Sequence, residues 1–118
     1  MAKSKIPDPL ERRHLIERPL DPARALAIAD AYVAEGRTLE AVAFLRKANA
    51  ESRLDSLWHE TLREGDPFLL REIGQALGRE ADAAAWSALA DAAAASGKDR
   101  YAAEARRQVE RLANRQGG

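Results

Sequence analysis

Aspartate-proline occurs three times in this chain, at Asp8-Pro9, Asp21-Pro22 and Asp66-Pro67, and each pair stands directly before a run of helix-compatible residues. The aspartate can accept hydrogen bonds from the free N–H groups of a first helical turn. Proline is tolerated at the first helical position, where its missing N–H had no partner anyway. Glu11 falls three residues after Asp8, the spacing of a capping box. Gly36, Gly65, Gly78 and Gly97 each follow a helical run. A glycine there enters the left-handed region without steric cost and ends the helix. Gly74 lies inside a run and marks a close helix–helix contact rather than a stop.

This punctuation predicts a short N-terminal helix over 9–17 and six main ones. They span 22–35, 38–50, 54–64, 67–77, 81–96 and 99–114. Residues 1–6 and 115–118 are expected to fray. No segment alternates apolar and polar residues with β-branched enrichment, so no sheet is expected. Apolar stripes recur at helical spacing. Leu26, Ala29, Tyr32 and Val33 form one, and Leu39, Val42, Leu45 and Ala48 form another, with Arg46 and Lys47 turned away. Connections of two to four residues make successive helices antiparallel. The expected fold is all-α, a single domain over 1–118 of stacked antiparallel helical hairpins.

Composition agrees with a folded chain. The 118 residues are 46% hydrophobic and 32% charged, with a formal net charge of zero. Disorder throughout would need low hydrophobicity joined to high net charge. Alanine is abundant, and it favours helices and close approach of their axes. With no cysteine, a disulfide framework, a thiol nucleophile and Cys-ligated metal sites are excluded. No stretch approaches the roughly 20 apolar residues of a membrane span, and the basic N-terminus has no apolar run behind it, as a signal peptide would. The expected location is cytoplasmic, with no membrane partner.

Two segments share a finer pattern. Counting from Pro22, Ile28, Ala29, Tyr32, Gly36, Ala41 and Ala48 fall at positions 7, 8, 11, 15, 20 and 27. Counting from Ala83, Trp86, Leu89, Ala90, Gly97 and Ala102 fall at positions 4, 7, 8, 15 and 20. This resembles the tetratricopeptide repeat, a unit of about 34 residues made of two antiparallel helices. The small residues at positions 8 and 20 sit where the two helices touch. Tyr32 and Trp86 are expected to fill the space between hairpins. The match covers about half the chain, in units near 22–50 and 83–114. The hairpin 54–77 lies outside the pattern, and an irregular or HEAT-like stack is the neighbouring alternative.

Candidate chemistry is sparse. His14 and His59 form no H-x3-H or HExxH pair, so no metal is expected. The carboxylates Glu60, Glu64, Asp66, Glu72, Glu80 and Asp82 lie among arginines on polar faces. No phosphate loop or nucleophile motif appears, so neither catalysis nor a cofactor is expected. Residues 98–118 carry six basic and three acidic side chains, including Arg100, Arg106, Arg107, Arg111 and Arg115. Trp58 and Trp86 read as core anchors, with Trp58 also a possible interface hot spot.

The expected role is an interaction module binding a protein or peptide partner in a shallow groove. The tetratricopeptide resemblance places Ala23, Leu26, Asp30 and Val33, and then Ala84, Ser87, Asp91 and Ala94, on the groove. Leu26, Asp30, Val33, Ser87 and Asp91 are the partner-binding candidates. The alternative is a protein that meets nucleic acid or an acidic partner through its basic last helix, although the chain lacks the basic excess usual for nucleic-acid binders. A short array with uncapped ends also leaves self-association open.

Overall fold

The computed structural model describes residues 6–117. Among these there are seven helices and no strand: α1 (Pro9–Glu17), α2 (Pro22–Ala34), α3 (Thr38–Lys47), α4 (Glu51–Glu64), α5 (Pro67–Leu77), α6 (Ala83–Ala95) and α7 (Asp99–Gly117). The all-α class and the helical hairpins expected from the sequence are present. No helix among the described residues is long and apolar enough to cross a membrane.

The helix starts are built as the sequence implies. Asp8 accepts from the Glu11 N–H and Asp21 from the Arg24 N–H. Asp66 accepts from both Phe68 and Leu69 N–H groups at 3.1 Å. Asp82 caps α6 through the Ala85 N–H, so this helix begins at Ala83 rather than Ala81. The expected stops at Gly36, Gly65, Gly78 and Gly97 all have positive φ.

Further boundaries differ from the sequence reading. The third helix ends at Lys47, not Ala50, because Asn49 takes φ +53° and stops it. The Ala50 N–H then reaches back to the Leu45 carbonyl, the six-residue closure that also follows Gly36, Gly78 and Gly97. With that turn finished early, α4 starts at Glu51 rather than Leu54. At the other end α7 runs to Gly117, beyond the expected end at Asn114. Residues 1–5 and 118, expected to fray, lie outside the described residues.

The chain divides into two compact units, one ending at Leu54 and one beginning at Asp55. In the first, α2 packs against α3, and α1 touches α3. Ala25, Ile28, Ala29 and Tyr32 of α2 meet Ala41, Val42, Phe44 and Leu45 of α3 in a buried core. The Tyr32 and Phe44 rings stack with centroids 5.7 Å apart. The Arg12 guanidinium lies 5.7 Å from one ring centroid and 5.6 Å from the other. Leu39, assigned to the apolar stripe from its spacing, is instead 54% exposed. Phe44 takes its place, because the face of α3 turned to α2 runs through 41, 44 and 45.

In the second unit α6 packs along α7, and α5 touches α7. Leu89, Ala90 and Ala93 of α6 and Ala102 and Ala105 of α7 are buried. Small side chains at these positions let the two axes come close. Leu70 and Ile73 of α5 complete the core with Trp58 and Trp86.

Candidate functional site

The second unit contains a pocket of about 410 Å³. Its volume is in the range of sites that hold a small ligand or an anchoring side chain. Trp58 and Trp86 line it together with Leu70 and Ala81. These tryptophans are the only two in the chain.

Gly74 creates the space on one wall. A Cβ there would stand 2.5 Å from the Arg79 carbonyl oxygen and 3.2 Å from Cζ3 of Trp58. Its absence lets the chain after α5 fold back tightly, with the Arg79 N–H donating to the Gly74 carbonyl at 2.8 Å. It also lets the indole of Trp58 lie against the helix. The close contact expected at Gly74 is therefore present, with Trp58 of α4 as its helical neighbour. The returning chain brings Arg79 over Trp58, with the guanidinium 5.0 Å from the ring centroid. Arg79 is held there by Asp55, at 2.9 Å.

Charge on the lining is unbalanced. Arg71, Arg79 and Arg111 line the pocket with a single carboxylate, Glu80. Each of these arginines has a carboxylate partner, and two of the partners are shared with arginines off the lining. Arg71 and Arg107 share Glu104, Arg111 and Arg115 share Glu80, and Arg79 pairs with Asp55. The network thus joins five arginines, two of them off the pocket lining, to three carboxylates, an excess of two positive charges. Hydrogen bonds from Arg107 first, and also from Gln108 and Arg71, hold the Glu104 carboxyl below its ordinary pKa, against the opposing effect of burial. It therefore stays ionised in the network.

One polar group in the pocket wall is unsatisfied. Trp86 is 4% exposed, and its Nε1 is buried without a hydrogen-bond partner. Such a donor forgoes about 1–3 kcal/mol compared with a paired one. Gln108 lines the same pocket, but its Oε1 already accepts from Arg111 Nε at 2.9 Å.

The sequence-based partner residues fall elsewhere. Leu26 and Val33 are half-buried on α2, and Asp30 between them is exposed. Asp30 is engaged by an ion pair with Arg53. Ser87 and Asp91 are exposed on α6, and neither lines the pocket although Trp86 is adjacent. Asp30 and Asp91 belong to different units. On α7, Arg107, Arg111 and Arg115 are paired with glutamates, whereas Arg100 and Arg106 have no carboxylate partner among the described residues. His14 and His59 are exposed, and His59 Nε2 lies 3.6 Å from Asp55. Among the described residues no group of three or more potential ligands is placed to hold a metal ion.

Sequence reasoning singled out Trp58, Trp86 and Gly74 but did not join them. Arg71 and Arg79 were missed altogether. The available signal was a glycine inside the 67–77 run, next to a hairpin that carries its own tryptophan. No family model, curated protein or solved structure matches this chain.

Proposed function

We propose that this protein is a non-catalytic interaction module that docks a segment of a partner protein into the tryptophan-lined pocket of its second unit. The observation that carries the reading is the pairing of Trp58 and Trp86 in one open pocket. Tryptophan and arginine are the side chains most often found at binding hot spots, and both are concentrated here. The tetratricopeptide-like spacing of 22–50 and 83–114 supports the same role, since such hairpins serve as scaffolds for peptide binding. The ionisable side chains on the lining are three arginines and Glu80, which is paired with Arg111 and Arg115.

The test is selection of a displayed random 12-residue peptide library on the full chain. Enriched peptides should lose affinity for Gln75→Phe, which places a ring in the pocket from an exposed position of α5. Asp30→Asn with Asp91→Asn should leave them unaffected. The opposite pattern would move the binding surface to the α2 and α6 faces. Failure of any peptide to enrich would refute the docking reading.

A further inference from the structure

The arginine excess and the unpaired indole N–H occur in one pocket, and together they specify more than an apolar anchor. We infer that the docked segment presents an acidic side chain beside an apolar one, with the apolar group against Trp58 and the carboxylate among Arg71, Arg111 and the Trp86 N–H. This rests on the docking role proposed above and states the chemistry that role would read.

The charge argument does not depend on ignoring existing ion pairs. Each of the three lining arginines has a carboxylate partner, but Glu104 and Glu80 are shared with Arg107 and Arg115 off the lining, so the network of five arginines and three carboxylates keeps two positive charges. The two glutamates are each shared between two arginines, so an incoming carboxylate need not displace either one. It supplies the missing partner for a guanidinium that now holds half of a glutamate. A neutral or basic side chain in the same place would add nothing to the pairing or would worsen the excess.

The indole gives a second, independent reason. Trp86 lines the pocket, and its Nε1 is a buried donor without an acceptor. A carboxylate oxygen is a strong acceptor for it. The atom is closed to solvent in the unliganded chain. Arg111 on the same lining is 48% exposed on its side chain and shares Glu80, at 3.8 Å, with Arg115, which leaves it free to pair with a ligand carboxylate.

The experiment uses the peptides enriched on the full chain, each compared with its Glu→Gln or Asp→Asn counterpart. Loss of the acid should weaken binding about tenfold or more, as expected for a hydrogen bond to a charged group. Arg111→Gln should weaken the acidic peptide about two- to fivefold, as for a partly exposed ion pair, and should leave its amide counterpart unchanged. Glu80→Gln should tighten the acidic peptide, because it removes the one carboxylate on the lining. In ¹H–¹⁵N spectra the Trp86 indole proton should move downfield with the acidic peptide and not with the amide. Helical circular dichroism and melting temperature serve as controls for folding of each variant. Enriched peptides without an acidic position, or equal affinity of acid and amide forms, would overturn the inference and leave the docking role standing. Self-association of the chain that Gln75→Phe abolishes would overturn the assignment to a partner protein, since a second copy would then occupy the pocket.

Discussion

Gly65 illustrates how one residue can hold an element in place. It stands at φ +83°, and a Cβ there would come within 2.7 Å of the Ala93 Cα and N. Neither problem can be relieved by a side-chain rotation, because both neighbours are backbone. Gly65→Ala is expected to cost at least about 2 kcal/mol, since the left-handed penalty of roughly 1–2 kcal/mol is joined by a forced backbone shift. Urea unfolding would measure it. Asn49 is the milder case, a non-glycine residue at φ +53°. Asn49→Gly should be close to neutral, whereas Asn49→Val should lose about 1–2 kcal/mol, because a β-branched residue fits this region badly. Trp86→Ala should cost about 3–5 kcal/mol as a buried aromatic truncation. Trp86→Phe should cost clearly less, because it deletes the unsatisfied N–H along with part of the ring. Equal losses for the two substitutions would show that the N–H is not a burden.

At the scale of elements, the hairpins depend on caps and on small residues. The α2–α3 pair closes over Ala29 and Ala41, and the α6–α7 pair over Ala90 and Ala102, all buried. Ala41→Leu or Ala102→Leu should destabilise by about 1–3 kcal/mol through overpacking. Thermal melts in which both variants matched the parent would show that these positions tolerate separation of the helices. Ion pairs add a pH dependence. The Arg37 side chain bonds Glu40 at 2.7 and 2.6 Å and draws its pKa down, chiefly through those hydrogen bonds. Glu104 is lowered for the same reason by Arg107. A carboxyl lowered in the folded state binds protons more readily in the unfolded chain. Its stabilisation is therefore present above its ordinary value of 4.5 and is lost as pH falls through the lowered value. The melting temperature should decline below about pH 4.5, and Glu104→Gln should flatten part of that decline. An identical pH profile for the variant would exclude Glu104 from the effect.

For the whole molecule, α4 has a particular place, because it runs unbroken across the division between Leu54 and Asp55. Leu54, the last residue of the first unit, and Trp58 in the second are both buried. A cut at that boundary would split a helix, and short isolated helices are marginal in water. One cooperative unfolding transition is therefore expected, with equal calorimetric and van't Hoff enthalpies. Two resolved transitions would show that the units melt separately. The far-ultraviolet spectrum should be that of a mainly helical protein with no sheet component.

The amino-acid sequence by itself determined where most helices begin and end, since capping and termination are local. Asp8, Asp21 and Asp66 act on N–H groups two or three residues away, and Gly36, Gly65, Gly78 and Gly97 act on their own dihedral angles. It also determined the alanine contacts of both hairpins, because these follow from spacing along two adjacent helices. The stop at Asn49 escaped notice because asparagine only sometimes takes the left-handed conformation. Only the tertiary structure decided which face of α3 is buried, leaving Leu39 out and taking Phe44 in. It alone also joined Trp58, Gly74, Arg79, Trp86 and Arg111 into a pocket. These residues come from α4, α5, α6, α7 and the chain after α5, and no local interaction encodes their meeting. Their juxtaposition depends on how far the α5 turn folds back at Gly74, and that is set by backbone clearance in three dimensions rather than by any spacing along the chain.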